Sequence, residues 1–166
     1  MQEYDQFQVI SKTALSDNQC NEILLEYNSN LEKIQQQDDR KILKKLINIY
    51  DIKNLKNMIF SANNETFKFN LYHDIECYFG RYDVGMHYQS LHYDHIPGNR
   101  HRKLTFTLLL NDDFKGGEFK MINGIEIPPV KGKLLVFPSF LAHQVLPVTE
   151  NSRCLIFGWV HGPPFC

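Results

Sequence analysis

His92 and Asp94 stand two residues apart in the stretch "QSLHYDHIPGNRHRK", residues 89–103, which also holds His95, His101, Arg100, Arg102 and Lys103. On a strand, positions i and i+2 point to the same face, so one imidazole and one carboxylate converge. His143 follows forty-nine positions later (143 − 94 = 49) and opens "HQVLPVT". In a closed barrel those two segments can lie side by side although they are distant in sequence. A neutral imidazole and an ionised carboxylate each offer a lone pair to a divalent cation. A solvated loop is the competing reading, because a lone histidine on a strand is usually structural. The ordered set of three favours the metal.

Two histidines and one carboxylate on one face of an ion leave its other positions open, whereas a structural zinc site closes all four. A second feature lies ten residues beyond His143. Arg153 opens "RCLIFGWV", whose alternation places Arg153, Leu155, Phe157 and Trp159 on one face. A guanidinium sharing a face with leucine, phenylalanine and tryptophan is costly to bury without a partner. Its planar fork suits a carboxylate. The sequence offers no evident acidic side chain for it, so a bound dicarboxylate would answer the need.

These residues must be held by a scaffold, and the periodicity changes along the chain. Residues 7–11 read as a first strand. "LSDNQCNEILLEYNSNLEKI" then reads as a helix, with Ser16 or Asp17 as N-cap and Ile23, Leu24, Tyr27 and Leu31 at helical spacing. "RKILKKLINIY" and "IKNLKNMIF" continue the helical rhythm. From about residue 66 the segments are short and rich in β-branched and aromatic residues: "TFKFNLY", "IECYFGRY", "KLTFTLLLN", "GEFKMI", "IEIP", "KLLVFP", "HQVLPVT" and "RCLIFGWV". Gly116 and Gly117 read as turn glycines that permit positive φ, not as phosphate binders. Helices followed by closely spaced strands predict an α+β jelly-roll barrel. A helical layer, about residues 1–65, supports a barrel core, about residues 66–162, in a single domain over residues 1–166.

Composition limits the partners. Eighteen basic residues against nineteen acidic ones give a net charge of −1, a total that offers no argument for nucleic acid or an anionic membrane as partner, and neither is expected. Cys20, Cys77, Cys154 and Cys166 are scattered without a C-x-x-C pair, and the opening "MQEYDQFQVISK" is not a signal peptide. No window holds 18 apolar residues, so no membrane span is expected. A reduced, cytoplasmic protein is the expectation.

The ordered set H-x-D, His143 and Arg153 resembles the Fe(II)- and 2-oxoglutarate-dependent dioxygenases. Tyr82 ten residues before His92, "KLTFTLLLND", "FKGGEF", "GKLLVFPSFLAHQVLPVT" and Trp159 six residues after Arg153 narrow the likeness to the prolyl-hydroxylase-like branch, over residues 76–160. The resemblance implies a double-stranded β-helix in which His92, Asp94 and His143 hold iron. It implies that Arg153 pairs with the distal carboxylate of 2-oxoglutarate and that Tyr82 hydrogen-bonds the same molecule. Thr107, and with it Thr105, would line that pocket, and Trp159 would pack beside it. One departure stands out: some relatives carry an aromatic hydroxyl on the strand occupied here by Leu108 and Leu109. His73, His87, His95, His101 and His161 have no matching role and read as surface or packing residues.

The expected activity is hydroxylation of a substrate C–H bond, coupled to oxidative decarboxylation of 2-oxoglutarate to succinate and CO2. Fe(II) and O2 are required, and ascorbate is a candidate accessory. Prolyl residues of a peptide or protein are the first expectation for the substrate, with Arg100 and Arg102 at the barrel mouth as candidate contacts. A free amino acid or other small molecule is the alternative. A non-catalytic, metal-holding, cupin-like module is the rival from another class. A nucleic-acid demethylase would need a more basic chain and a base-stacking lid.

Overall fold

The structure, a computed structural model, describes residues 9–33 and 42–165. Among these, helix α1 spans Asp17–Tyr27 and α2 spans Leu55–Ala62. The strands are β1 (Ile10–Thr13), β2 (Glu32–Lys33), β3 (Leu43–Leu46), β4 (Ile75–Tyr82), β5 (Tyr88–His92), β6 (Arg102–Leu109), β7 (Lys115–Gly116), β8 (Phe119–Met121), β9 (Glu126–Ile127), β10 (Lys133–Pro138), β11 (His143–Val145), β12 (Val148–Glu150) and β13 (Arg153–His161). A seven-stranded sheet runs β1-β10-β6-β13-β4-β3-β2, and a four-stranded one runs β5-β11-β8-β9. Every pairing within them is antiparallel. The expected jelly-roll layout is present.

Alternation decides what each face of the large sheet buries. On β6, Leu104, Phe106 and Leu108 join the core shared with the helices. Thr105 and Thr107, at the intervening positions, line the cavity between the two sheets. The helices cover the outer face with residues at helical spacing: Cys20, Ile23 and Tyr27 from α1, and Leu55, Ile59 and Ala62 from α2. Ser16 caps α1 in a reciprocal capping box with Gln19, which satisfies two backbone donors at its first turn. A second apolar cluster joins Phe119, Met121, Ile127 and Val145 of the small sheet to Tyr82, Leu135, Phe137 and Leu155 of the large one. Loss of the fully buried Phe106 ring would cost about 3–5 kcal/mol.

Three sequence expectations change. The helix expected over "RKILKKLINIY" is strand β3, which pairs with β4 and is followed by a short 3-10 turn at Ile49–Asp51. The first 65 residues are therefore not purely helical, since β1, β2 and β3 all belong to the large sheet. The strand expected over "TFKFNLY" is absent: a π-helical turn covers Asn63–Phe67, and Lys68 takes φ +54°. The Asn63 side chain holds both the N–H and the carbonyl of Phe69, which occupies the backbone groups a strand would need. α1 also ends at Tyr27, short of Leu31. Residues 7 and 8 of the expected first strand, "IQQQDD", and Arg40 and Lys41 of "RKILKKLINIY" lie outside the described residues. Among the described residues no helix is long and apolar enough to cross a membrane, and Cys20, Cys77 and Cys154 are free and buried.

Candidate metal centre

β5 pairs with β11 so that His92 stands directly opposite His143, with ring centroids 4.4 Å apart. Each imidazole is oriented by its own backbone. His92 Nδ1 is 2.9 Å from the Ser90 carbonyl, and His143 Nδ1 is 3.1 Å from the Leu141 carbonyl. A carbonyl oxygen only accepts, so each Nδ1 carries the proton and each Nε2 carries the lone pair. The His92 ring stacks on Tyr88, and His143 packs against Phe119 and Phe137.

Asp94 lies two residues past the end of β5, in a bend rather than on the strand. Convergence with His92 therefore depends on that bend and not on alternation alone. Ser139 fixes it: its carbonyl accepts from the backbone N–H of Asp94 at 2.9 Å and of His95 at 3.0 Å. Thr105 Oγ1 donates to Asp94 Oδ2 at 2.8 Å and shares a hydrogen bond with Ser139 Oγ at 3.0 Å. His143 Nε2 is 3.5 Å from the same carboxylate oxygen. Burial pushes the Asp94 carboxyl upward, but His143, the Trp159 and Thr105 side chains and His92 together hold it below its ordinary value. One ligand atom from each of His92, Asp94 and His143 falls within 4.8 Å of the others, and this is the one such group of three among the described residues. The two imidazole nitrogens and one carboxylate suit iron and leave coordination positions open.

The cavity that holds these groups is also lined by Tyr82, Thr105, Thr107, Arg153, Leu155, Phe157 and Trp159. The alternation expected along β13 is therefore observed. Arg153 is 4% exposed, and its Nη1 is buried without a hydrogen-bond partner. The nearest rings are Tyr82 and Phe114, 5.7 and 5.9 Å from its Cζ. Burial pulls the guanidinium below its ordinary pKa, with Tyr82 and Cys154 opposing. A carboxylate arriving from the cavity would supply the missing acceptor, so the site fits a dicarboxylate. Gly116 and Gly117 take φ +68° and +63°, as expected of turn glycines. Gly117 also does something the sequence did not signal: a Cβ there would stand 3.1 Å from Arg153 Cδ, so the bare glycine lets the loop pack on the arginine stem.

The remaining expected residues divide. Leu108 faces the helical core, and Leu109 opposes Leu155, so this end of β6 brings no hydroxyl to the cavity. Arg100 is exposed and Arg102 half-buried, and neither lines the cavity. Arg102 is engaged within the protein. Its Cζ lies 3.5 Å from the centre of the Trp159 ring, and its Nη2 is 3.0 Å from Glu76 Oε2. His161 lies between Glu76 and Asp74, His73 stacks on Phe60, and His95 packs edge-on against Phe165. His101 Nδ1 meets the Gly162 carbonyl, and His87 is buried. Sequence reasoning missed Ser139, whose only sign was its place in "FPS".

Fold and site together define a jelly-roll protein with three candidate metal ligands and a buried cation lining one cavity. The profile of the 2OG-Fe(II) oxygenase superfamily matches residues 77–161, and the chain belongs to that family. A PKHD-type hydroxylase of Maricaulis maris is 38% identical over 85 residues, covering 48% of this chain and 39% of that protein. A PKHD-type hydroxylase of Rippkaea orientalis is 36% identical over 91 residues, covering 49% and 40%. The chain thus spans about two fifths of the length of these curated relatives. Among solved structures, a Pseudomonas putida prolyl-4-hydroxylase superposes with a TM-score of 0.78 at 22% identity, over 94% of this chain and 93% of that one. A Trichoplax adhaerens prolyl hydroxylase, in complex with a hypoxia inducible factor peptide fragment, gives 0.78 at 19%, over 96% and 86%. These structures share the double-stranded β-helix.

Proposed function

We propose that this chain is a Fe(II)- and 2-oxoglutarate-dependent hydroxylase of prolyl residues in a peptide or protein. The observation that carries the reading is the orphaned Nη1 of Arg153, buried in the same cavity as His92, Asp94 and His143. A structural metal needs no unpaired guanidinium in its cavity; a dicarboxylate co-substrate does. Bound Fe(II) would supply the O2 chemistry that couples decarboxylation of 2-oxoglutarate to C–H hydroxylation.

The side chains divide the remaining work. His92, Asp94 and His143 hold the ion on one face. Arg153 neutralises the distal carboxylate, with Tyr82 beside it as a hydroxyl donor. Thr107 lines the wall between them, and Trp159 borders the metal end. The apolar residues Phe119, Phe137 and Leu155 exclude water, which strengthens each charged contact. Arg100 is exposed beside the metal-bearing loop and is the candidate contact for an incoming chain. Arg102 would act at the same mouth while covering Trp159. The described residues act as one catalytic domain, since β1 and β3 hydrogen-bond into the sheet that carries Arg153. Buried free thiols fit a reducing, intracellular compartment.

The solved relative that holds a peptide fragment supports a peptide or protein substrate by analogy alone. The test is succinate release from 2-oxoglutarate with Fe(II), screened against prolyl peptides and a panel of free amino acids. Mass spectrometry should find a prolyl peptide that gains one oxygen atom. Gain of oxygen by a free amino acid alone would replace the peptide reading, and no 2-oxoglutarate turnover under any condition would end the enzymatic one.

A further inference from the structure

Gly80 lies on β4, an inner strand of the large sheet, paired with Leu155 of β13 on one side and Lys44 of β3 on the other. It faces the cavity side, where a glycine forgoes the contacts a side chain would make. Its surroundings explain the exception. A Cβ on Gly80 would stand 2.8 Å from Cε1 and 3.1 Å from Cδ1 of Phe157, and 3.0 Å from Cδ1 of Ile42. The Phe157 ring therefore rests over the bare backbone of Gly80. It stacks near-parallel on Tyr78, with centroids 5.5 Å apart and planes at 22°. It meets Trp159 at a right angle, 5.7 Å away and 87° between planes.

Phe157 sits between the two ends of the cavity. On β13 it follows Arg153 and Leu155 and precedes Trp159, and across the sheet it opposes Thr107. Thr105, the hydroxyl bonded to Asp94, opposes Trp159. The metal candidates thus lie at the level of Trp159 and the buried cation at the level of Tyr82, with the Phe157 ring along the wall between them.

We infer that Gly80 and Phe157 form a size-setting pair: the missing side chain at Gly80 lets the Phe157 ring lie back against the sheet, and this sets the width of the passage between the Arg153 end and the metal end. The pair acts as a specificity determinant of the site proposed above and rests on that reading for its co-substrate. The corner of Phe157 and Trp159 is apolar, so the part of the co-substrate that runs along it is its hydrocarbon stem, with the charged groups at the two ends.

Trp159 is the single tryptophan of the chain and touches Phe157, so its fluorescence reports on the passage directly. Acrylamide quenching is measured first on metal-free protein, then 2-oxoglutarate is titrated in the presence of Mn(II). Phe157→Ala should raise the quenching constant at least twofold, because the corner opens to solvent. Gly80→Ala drives the ring toward the passage and should weaken 2-oxoglutarate binding about tenfold. Gly80→Ala combined with Phe157→Leu should recover most of that loss, which a general folding defect at Gly80 would not permit. Should Gly80→Ala fail to fold, the double variant and Phe157→Ala decide. Wild-type quenching in Phe157→Ala, or no recovery in the double variant, overturns the pair. Altered quenching in a protein that binds no 2-oxoglutarate even as wild type would leave the pair standing and remove the co-substrate reading instead.

Discussion

Thr105 donates its hydroxyl to Asp94 Oδ2 at 2.8 Å while sharing a second hydrogen bond with Ser139, which is completely buried. The carboxylate is held by a hydroxyl on the central sheet, not by its own loop. Thr105→Val keeps the shape and removes the donor. Outer partners of this kind typically contribute about 10–100-fold to metal affinity, and that range is the expected loss in a Mn(II) titration. The same hydrogen bond favours the ionised carboxylate, so its loss moves the Asp94 pKa upward and the deficit should widen as pH falls. An unchanged Mn(II) affinity in Thr105→Val would show that Asp94 needs no such support.

His143→Ala removes one of the facing imidazoles at the β5–β11 pairing. Two protein ligands hold an ion poorly and misplace its open positions. Anaerobic titration should find about one Fe(II) per wild-type chain and no saturable binding in the variant, with succinate release at background. His92→Ala and Asp94→Ala should behave alike. Full turnover by His143→Ala would remove it from the metal site.

The parts of the fold and site that the sequence revealed were those with a strong period or a costly residue. The nine residues of β13 alternate cleanly, and Arg153 stands out because a charge on an apolar face demands a reason. β3 was hidden because "RKILKKLINIY" places Ile42, Leu43, Leu46, Ile47 and Ile49 at spacings a helix also satisfies, and a short apolar run cannot separate the two. "TFKFNLY" alternated convincingly, yet the Asn63 side chain, six residues earlier, took the backbone groups of Phe69, a choice the alternation does not announce. Thr105 and Ser139 were illegible as partners of Asp94 because hydroxyls on strands are common. Only the three-dimensional pairing of β6 with β10 brings Thr105 beside the turn that carries Ser139.

Arg153→Leu should change two measurements in opposite directions. The distal carboxylate loses its charge-assisted partner, at a cost of roughly 2–5 kcal/mol in 2-oxoglutarate binding. Without ligand, however, the wild-type guanidinium is a buried donor lacking an acceptor. Replacing it with an apolar side chain removes an unsatisfied group worth about 1–3 kcal/mol. The ligand-free variant should therefore melt a few degrees higher than wild type. Arg153→Lys should retain part of the affinity, because the charge stays while the fork is lost. Equal apparent KM for 2-oxoglutarate in Arg153→Leu and wild type would make Arg153 a structural residue.

Arg100, in the turn after the candidate ligand Asp94, and Arg102, at the start of β6, separate by what they touch. Arg100 is exposed, so any effect it has on a peptide acts through the incoming chain and should fade with salt. Arg102 lies on the face of Trp159 and is tied to Glu76. Arg102→Ala should redden the emission of Trp159 by uncovering its ring, and should raise the KM for a confirmed prolyl peptide because the corner at the metal end loses its support. Arg100→Ala should raise the same KM a few-fold at low ionic strength, with no change in emission. In both variants 2-oxoglutarate should still be converted to succinate without peptide, because Arg153, Tyr82 and the three ligands are untouched. If both variants hydroxylate that peptide with wild-type KM, neither arginine meets the substrate and its path lies elsewhere on the rim. A change in emission with Arg102→Ala and no change in KM would limit Arg102 to holding Trp159 in place.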